Sequence, residues 1–216
     1  MYKYVSILAA LAVLSCGGSG AGNGPSVSPT PKCYEYYANG EKWEGMPGYT
    51  IDPSNKAGLD EGSVVETFGH ALSKWESHTQ GGLWGRGETQ TIDKRTRELV
   101  GVMANGRSEI IFGDVPQDGA IAVTYLWTEQ GSIVEVDMVF DDTKNAWGMH
   151  GEPDSMDFPS VATHEIGHAL GLGHPDKFNC PTQTMFAFTD VGLTEQRTLE
   201  YGDIEGIQSL YGVPGE

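Results

Sequence analysis

Apolar positions between Glu61 and Ser77 fall at Val64, Val65, Phe68, Ala71, Leu72 and Trp75. That spacing gathers them on one broad face of an amphipathic helix, with His70 and His78 left on its surface. Ahead of it, "GYTID" reads as a short strand, and the glycine-rich polar stretch that follows the helix, to about Arg97, reads as loop. The period then changes. "SEIIFGDV", "AIAVTYLW" and "SIVEVDMVF" are β-rich runs separated by turn signals at Pro116–Gly119 and at Gln130 and Gly131. In the last run Val134, Val136, Met138 and Phe140 alternate with Glu135, Asp137 and Val139, which predicts a strand with one apolar face. Helical spacing returns from about Ser160 to Gly171, and again in "DIEGIQSLYG" at Ile204, Ile207, Leu210 and Tyr211. The order predicts an α+β layout, one sheet with helices laid against it.

The first residues follow a different logic. "MYKYVSILAALAVLSC" has an early lysine and an apolar run from Val5 to Leu14, too short to span a bilayer but suited to a signal-peptide core. "VLSC" resembles a bacterial lipobox with Cys16 as the lipid-bearing residue; ordinary cleavage after Ala21 is the rival, and both imply export. Residues 1–16 are therefore expected to be a signal peptide, 17–32 a Gly/Ser/Pro-rich tether, and 33–216 one domain.

Net charge is -17, from 13 Lys and Arg against 30 Asp and Glu. No basic stripe is present to neutralise phosphates, so nucleic acid is excluded as a partner. Beyond Cys16 two cysteines remain, Cys33 and Cys180. A disulfide is the simplest use of such a pair in an exported chain. Thiolate ligation of a metal by Cys33, or two free thiols, are the alternatives.

Three of the six histidines lie in "HEIGHALGLGH", at His164, His168 and His174. His164 and His168 are four apart and project from one helix face. Gly171 and Gly173 permit a sharp turn that brings His174 back to the same point. Three neutral nitrogens with one open position form the ligand set of a catalytic zinc site, and Glu165, next to the first ligand, stands where a base for water is needed.

This stretch matches H-E-x-x-H-x-x-G-x-x-H, and the chain resembles the metzincin metalloproteases. Within them it is most similar to the matrixin branch, on "FDDTKNAWG", "DFPSVATHEIGHALGLGH" and "LEYGDIEGIQSLYG". The resemblance implies a twisted mixed sheet with an edge strand over the cleft, an active-site helix, a methionine turn at Met185 in "TQTMFAF", and a C-terminal helix. It implies one catalytic Zn2+ on His164, His168 and His174, with Glu165 as general base. It also implies an extended peptide substrate along an edge strand, best matched by "GAIAVTYLW", with Phe186 and Phe188 lining a pocket or merely filling core.

Departures from the pattern carry their own expectations. Residues 107–140 hold no histidine, so the second zinc of matrixins is not expected. Asp141 is present at the calcium segment but Lys144 falls where Glu is usual, leaving Ca2+ open. Gly202 replaces the first of two aspartates, and Asp203 remains to brace the methionine turn. Pro175 after the third histidine resembles the serralysins, a second possibility, and an inactive zinc-binding surface lipoprotein is a third. The expected protein is an exported monomeric endopeptidase of the cell envelope, acting on proteins or peptides and touching the membrane only through a lipid at Cys16.

Overall fold

In the computed structural model, which describes residues 3–6, 32–37, 39–45 and 47–215, the β-rich runs become neighbouring strands. In chain order the elements are β1 (Lys3–Ser6), β2 (Glu35–Tyr36), β3 (Lys42–Trp43), β4 (Tyr49–Asp52), α1 (Glu61–Glu76), β5 (Gly87–Thr89), α2 (Lys94–Arg97) and β6 (Ser108–Gly113). They continue with β7 (Ala122–Glu129), β8 (Ser132–Asp141), β9 (Trp147–Gly148), β10 (Met156–Asp157), α3 (Phe158–Ala169), β11 (Leu172–Gly173), a 3-10 turn (Glu195–Arg197) and α4 (Tyr201–Tyr211). The main sheet runs β1-β7-β8-β6-β4-β5. Strands β5, β4, β6 and β8 are parallel, and β7 returns antiparallel to β8. The sheet is thus mixed, as expected, with β7 the last strand of the domain itself and β1 added antiparallel along its outer edge. Cys16, expected to carry the lipid, and the expected tether, apart from Lys32, lie outside the described residues, as does most of the expected signal segment. Among the described residues no helix is long and apolar enough to cross a membrane.

Helices α1 and α3 cover one sheet face. Phe68, Leu72 and Trp75 of α1 are buried against Ile166 and the inward side chains Met138 and Phe140 of β8. The indole of Trp75 donates to the carbonyl of Thr163 at 2.9 Å, joining the two helices by a buried hydrogen bond. His70 is exposed on α1, as its helix pattern predicted, whereas His78 lies past the end of the helix and is half-buried.

Two expectations need correction. The stretch read as loop contains the single helical turn α2, capped by Asp93, and the strand β5, paired in parallel with β4. All three residues of β5 are exposed, so neither face carries an apolar alternation that could have marked it. In β8, Val134 does not share the core face: the register skips it between Trp127↔Glu135 and Thr128↔Ile133, leaving it 41% exposed while Ile133 turns inward. A bulge of this kind shifts a side chain to the other face without ending the strand.

The other sheet face is also covered. Ile92 and Val100, from the segment after β5, pack on Ile111, Val123, Tyr125, Trp127 and Val139. Glu135 and Asp137 are buried there and hydrogen-bonded to backbone N–H groups. Asp137 accepts from Gly101 at 2.7 Å and Glu109 at 3.0 Å; Glu135 accepts from Asn105 at 2.8 Å. Burial, with the nearby charges of Glu109 and Glu135, pushes the Asp137 carboxyl up to about 8.

Two buried aspartates behave oppositely. Burial pushes Asp52 and Asp157 upward, but hydrogen bonds outweigh it and hold both below the ordinary carboxyl value. Asp52 accepts from Ser54, the Ile92 N–H and Arg97; Asp157 accepts from Arg197 and Ser160. A depressed carboxyl stabilises the fold above its ordinary value, near 4, and that stability is lost as pH falls through the folded value. A raised carboxyl such as Asp137 stabilises below the ordinary value and loses this as pH rises through about 8. Calorimetric melting against pH should therefore peak in the mildly acidic range and fall on both sides. Arg197→Ala, which leaves the buried Asp157 without its ion-pair partner, should cost about 3 kcal/mol near neutral pH; an unchanged melting temperature would refute this role for the pair.

Candidate metal centre

Helix α3 starts where Asp157 caps it, accepting from the Ser160 N–H at 3.0 Å and its hydroxyl at 2.7 Å. Pro159 sits in the first turn, where its missing N–H has no consequence. Arg197 donates to both carboxylate oxygens of Asp157, tying the start of the helix to the 3-10 turn. At the far end two otherwise orphaned carbonyls find partners: the Trp43 indole donates to Ala169 O and the Tyr211 hydroxyl to Leu170 O, both at 2.9 Å.

Gly171 ends the helix at φ 97°, the left-handed conformation that favours glycine. Gly173 serves a different purpose from the one its sequence suggests, since its φ is not positive. A Cβ there would press on the carbonyl oxygen of Tyr36 at 2.9 Å, so glycine lets β2 approach β11 closely. The chain then delivers His174 to the pair on α3.

The three imidazoles converge. Nε2 of His174 lies 3.1 Å from Nε2 of His164 and 3.0 Å from Nε2 of His168. The other ring nitrogens are committed: His164 Nδ1 donates to Thr184 O at 2.7 Å and His168 Nδ1 to Leu172 O at 2.8 Å. Carbonyl oxygens only accept, so both rings carry their proton on Nδ1 and present an Nε2 lone pair to the cluster. A proton on His174 Nε2 could satisfy only one of those lone pairs at a time. Burial lowers His164 to about 4 and His174 to about 3, and His168 well below its ordinary value, so the rings are neutral at pH 7. The two distances to His174 Nε2 fit nitrogens sharing a zinc ion, whose tetrahedral ligands stand roughly 3.3 Å apart. Among the described residues this is the one cluster of histidine, cysteine or acidic groups able to hold a metal ion.

The surroundings fix the ligands. Asp203 accepts from the N–H groups of Thr184 at 2.7 Å and Met185 at 3.1 Å, so it braces the methionine turn as expected. Since Thr184 also supplies the carbonyl that orients His164, the carboxylate acts on that ligand through one residue. Met185 is buried beneath α3, where a Cβ at Gly167 would strike its sulfur and the Trp75 ring. Phe186 and Phe188 are half-buried, stacked edge to face at 5.5 Å. Neither belongs to the core clusters.

Glu165 is buried, and its Oε2 accepts from the Thr124 hydroxyl on β7 at 2.5 Å. Burial raises its carboxyl to about 7, against the lowering effect of that hydrogen bond. Sequence reasoning did not single out Thr124. Its signal was a polar residue at an inward position of an otherwise apolar strand. The pairing expected between Cys33 and Cys180 is present as a disulfide with Cα atoms 5.4 Å apart. At the segment where the sequence leaves calcium open, the Lys144 ammonium donates to Asp114 at 2.6 Å, Asp141 at 3.1 Å and Val115 O at 2.5 Å.

A mixed sheet, a helix bearing two ligands, a glycine turn carrying the third and a methionine beneath them define a metzincin-like catalytic domain. The chain belongs to the matrixin family: residues 42–212 match the family model described as Matrixin. It is 29% identical to matrix metalloproteinase-27 of Homo sapiens over 192 residues, 86% of this chain and 34% of that protein. Over a shorter stretch of 69 residues it is 41% identical to matrilysin of Rattus norvegicus, covering 32% of this chain and 25% of the relative. Metalloendoproteinase 1-MMP of Arabidopsis thaliana is 26% identical over 187 residues, 83% of the chain and 47% of the relative. These matches thus span about a quarter to a half of the relatives' length.

Gly167→Ala tests the packing beneath the ligands. The added methyl should cost about 1–3 kcal/mol by overpacking Met185 and Trp75, read as a lower unfolding midpoint. Unchanged stability would mean the two side chains yield freely.

Proposed function

We propose that the protein is a zinc-dependent endopeptidase in which His164, His168 and His174 hold the metal and Glu165 moves the proton. Held by the three Nε2 atoms, zinc would supply Lewis acidity toward a peptide carbonyl and bring the pKa of a nearby water toward neutrality. Glu165 then takes a proton from the attacking water and passes it to the leaving amine nitrogen, as general base and afterwards general acid. Thr124 holds Oε2 of that carboxylate, which leaves Oε1 to receive the proton. The observation that carries this reading is the buried Glu165 next to the ligand triad, since a site that only bound metal would have no use for it.

The substrate is a protein or peptide lying extended and antiparallel to the outer edge of β7, added as one more strand. That edge already accepts Lys3–Ser6 in antiparallel register opposite Tyr125–Thr128, which supports its capacity to take such a segment. Phe186 and Phe188, outside the core clusters, would flank a hydrophobic side chain after the cut. We read the protein as an exported monomer of the cell envelope, anchored through a lipid at Cys16. The Cys33–Cys180 bond agrees with an oxidising compartment. Calcium at the Asp141 segment is not part of the proposal, because the Lys144 ammonium already joins its carboxylates.

Turnover of a mixed quenched-peptide library by the purified protein, compared with Glu165→Ala, tests the assignment. The parent should cut before hydrophobic residues and lose this to a chelator, while the variant should keep zinc and lose at least about 100-fold in rate. Equal cleavage by both would remove Glu165 from the chemistry, and zinc binding without cleavage by either would leave a binding protein.

A further inference from the structure

The short segment before β3 reaches the metal centre from outside. Its strand β2 pairs antiparallel with β11, Tyr36 opposite Leu172 and Glu35 opposite Gly173, and the Tyr37 N–H donates to Gly171 O at 2.7 Å. β11 is the link between two ligands. Leu172 supplies the carbonyl that orients His168, and Gly173 leads directly into His174. The other edge of the segment lies on α4, where Gly202 and Gly206 leave room for Cys33 and Tyr34, and where the Tyr36 hydroxyl donates to Ser209 at 2.8 Å. Cys33 then crosses to Cys180, six residues past the third ligand, so the bond closes a ring around the His174 turn. A two-residue strand pair has little stability alone, and only the disulfide ties this one covalently at its far end.

We propose that Cys33 and Cys180 are positioning residues of the metal centre, and that closing their disulfide sets β2 against β11 and thereby fixes His168 and His174 for zinc. The inference rests on the zinc reading of the site. Cys180 is buried and Cys33 half-buried, so the bond can be reached from the Cys33 side. Opening it takes two electrons and two protons from a dithiol, which leaves as its own disulfide, and yields two thiols; closing it returns the electrons to a disulfide oxidant. In a reducing interior the strap is unlatched and the site holds zinc weakly; after export into an oxidising compartment the latch closes. The affinity of the centre is thus coupled to the compartment in which the chain resides.

The test is zinc affinity of the purified full chain, by competition with a chromophoric chelator, for the parent and for the Cys33→Ala, Cys180→Ala double variant. Amide hydrogen exchange is followed in parallel. Loss of support behind metal ligands costs about 10–100-fold in affinity, so a drop of at least about tenfold is expected, with faster exchange at Leu172–His174 and unchanged exchange in β6 and β8. Affinity within about twofold of the parent and unchanged exchange at those residues would make the disulfide a staple only. Should the double variant fail to fold, Tyr37→Pro, which removes the donor to Gly171 O and keeps both cysteines, should show the same selective loss; its absence would overturn the proposal. A parent that binds no zinc at all would instead refute the functional reading beneath it.

Discussion

His174 Nε2 is held 3.1 Å from the lone pair of His164 and 3.0 Å from that of His168, a crowding of nitrogens that favours a shared cation, and the surrounding structure is arranged to keep them there. Each ring on α3 is prevented from turning by a carbonyl on its far nitrogen. Those carbonyls, Thr184 O and Leu172 O, belong to segments with no regular structure of their own beyond a two-residue strand. Each segment is therefore held by something else. Asp203, at the start of α4, fixes Thr184 and Met185 with two charge-assisted hydrogen bonds, and β2 fixes Leu172 and Gly173. The centre has two independent supports, both leaning on α4, one through a carboxylate and one through the strap that crosses it.

Burial acts on both kinds of group in the site, with opposite results. It keeps the histidines neutral, which suits them as ligands because no proton competes for the nitrogen. It also raises Glu165 to about 7, favouring the protonated carboxyl. A cation at the triad opposes that second effect by favouring the carboxylate. The base is consequently set by two large terms of opposite sign, and the Thr124 hydrogen bond adds to the cation's side.

Much of this was legible in the sequence because it follows from spacing. The four-residue separation of His164 and His168, the turn at Gly171 and the helix face of Val64 to Trp75 each require a single local periodicity. The supports were harder to read. The acceptors for His164 and His168 are backbone carbonyls, which every residue possesses, so no residue type marks them. β5 escaped because it is exposed on both faces, and Val134 was misplaced because a bulge changes phase without changing composition. Gly173 was recognised as necessary for the wrong reason: the close neighbour that demands it, Tyr36, lies 137 residues earlier in the chain.

The acidity of the chain also takes on structure. With 30 acidic residues against 13 basic ones, few cations are available, yet three buried aspartates each receive one. Asp52 pairs with Arg97, Asp141 with Lys144 and Asp157 with Arg197. Of the other buried carboxylates, Glu135 and Asp137 accept backbone N–H groups instead, and Asp137 is the one pushed to about 8. Where Lys144 joins Asp114 and Asp141, a tethered ammonium does the electrostatic work of a bound cation. Its concentration at the site is set by the chain and not by the medium, so that corner of the fold gains nothing from mass action of a dissolved ion. The metal centre is the opposite arrangement: the imidazoles bring no charge, and their convergence becomes favourable only when a cation arrives from solution.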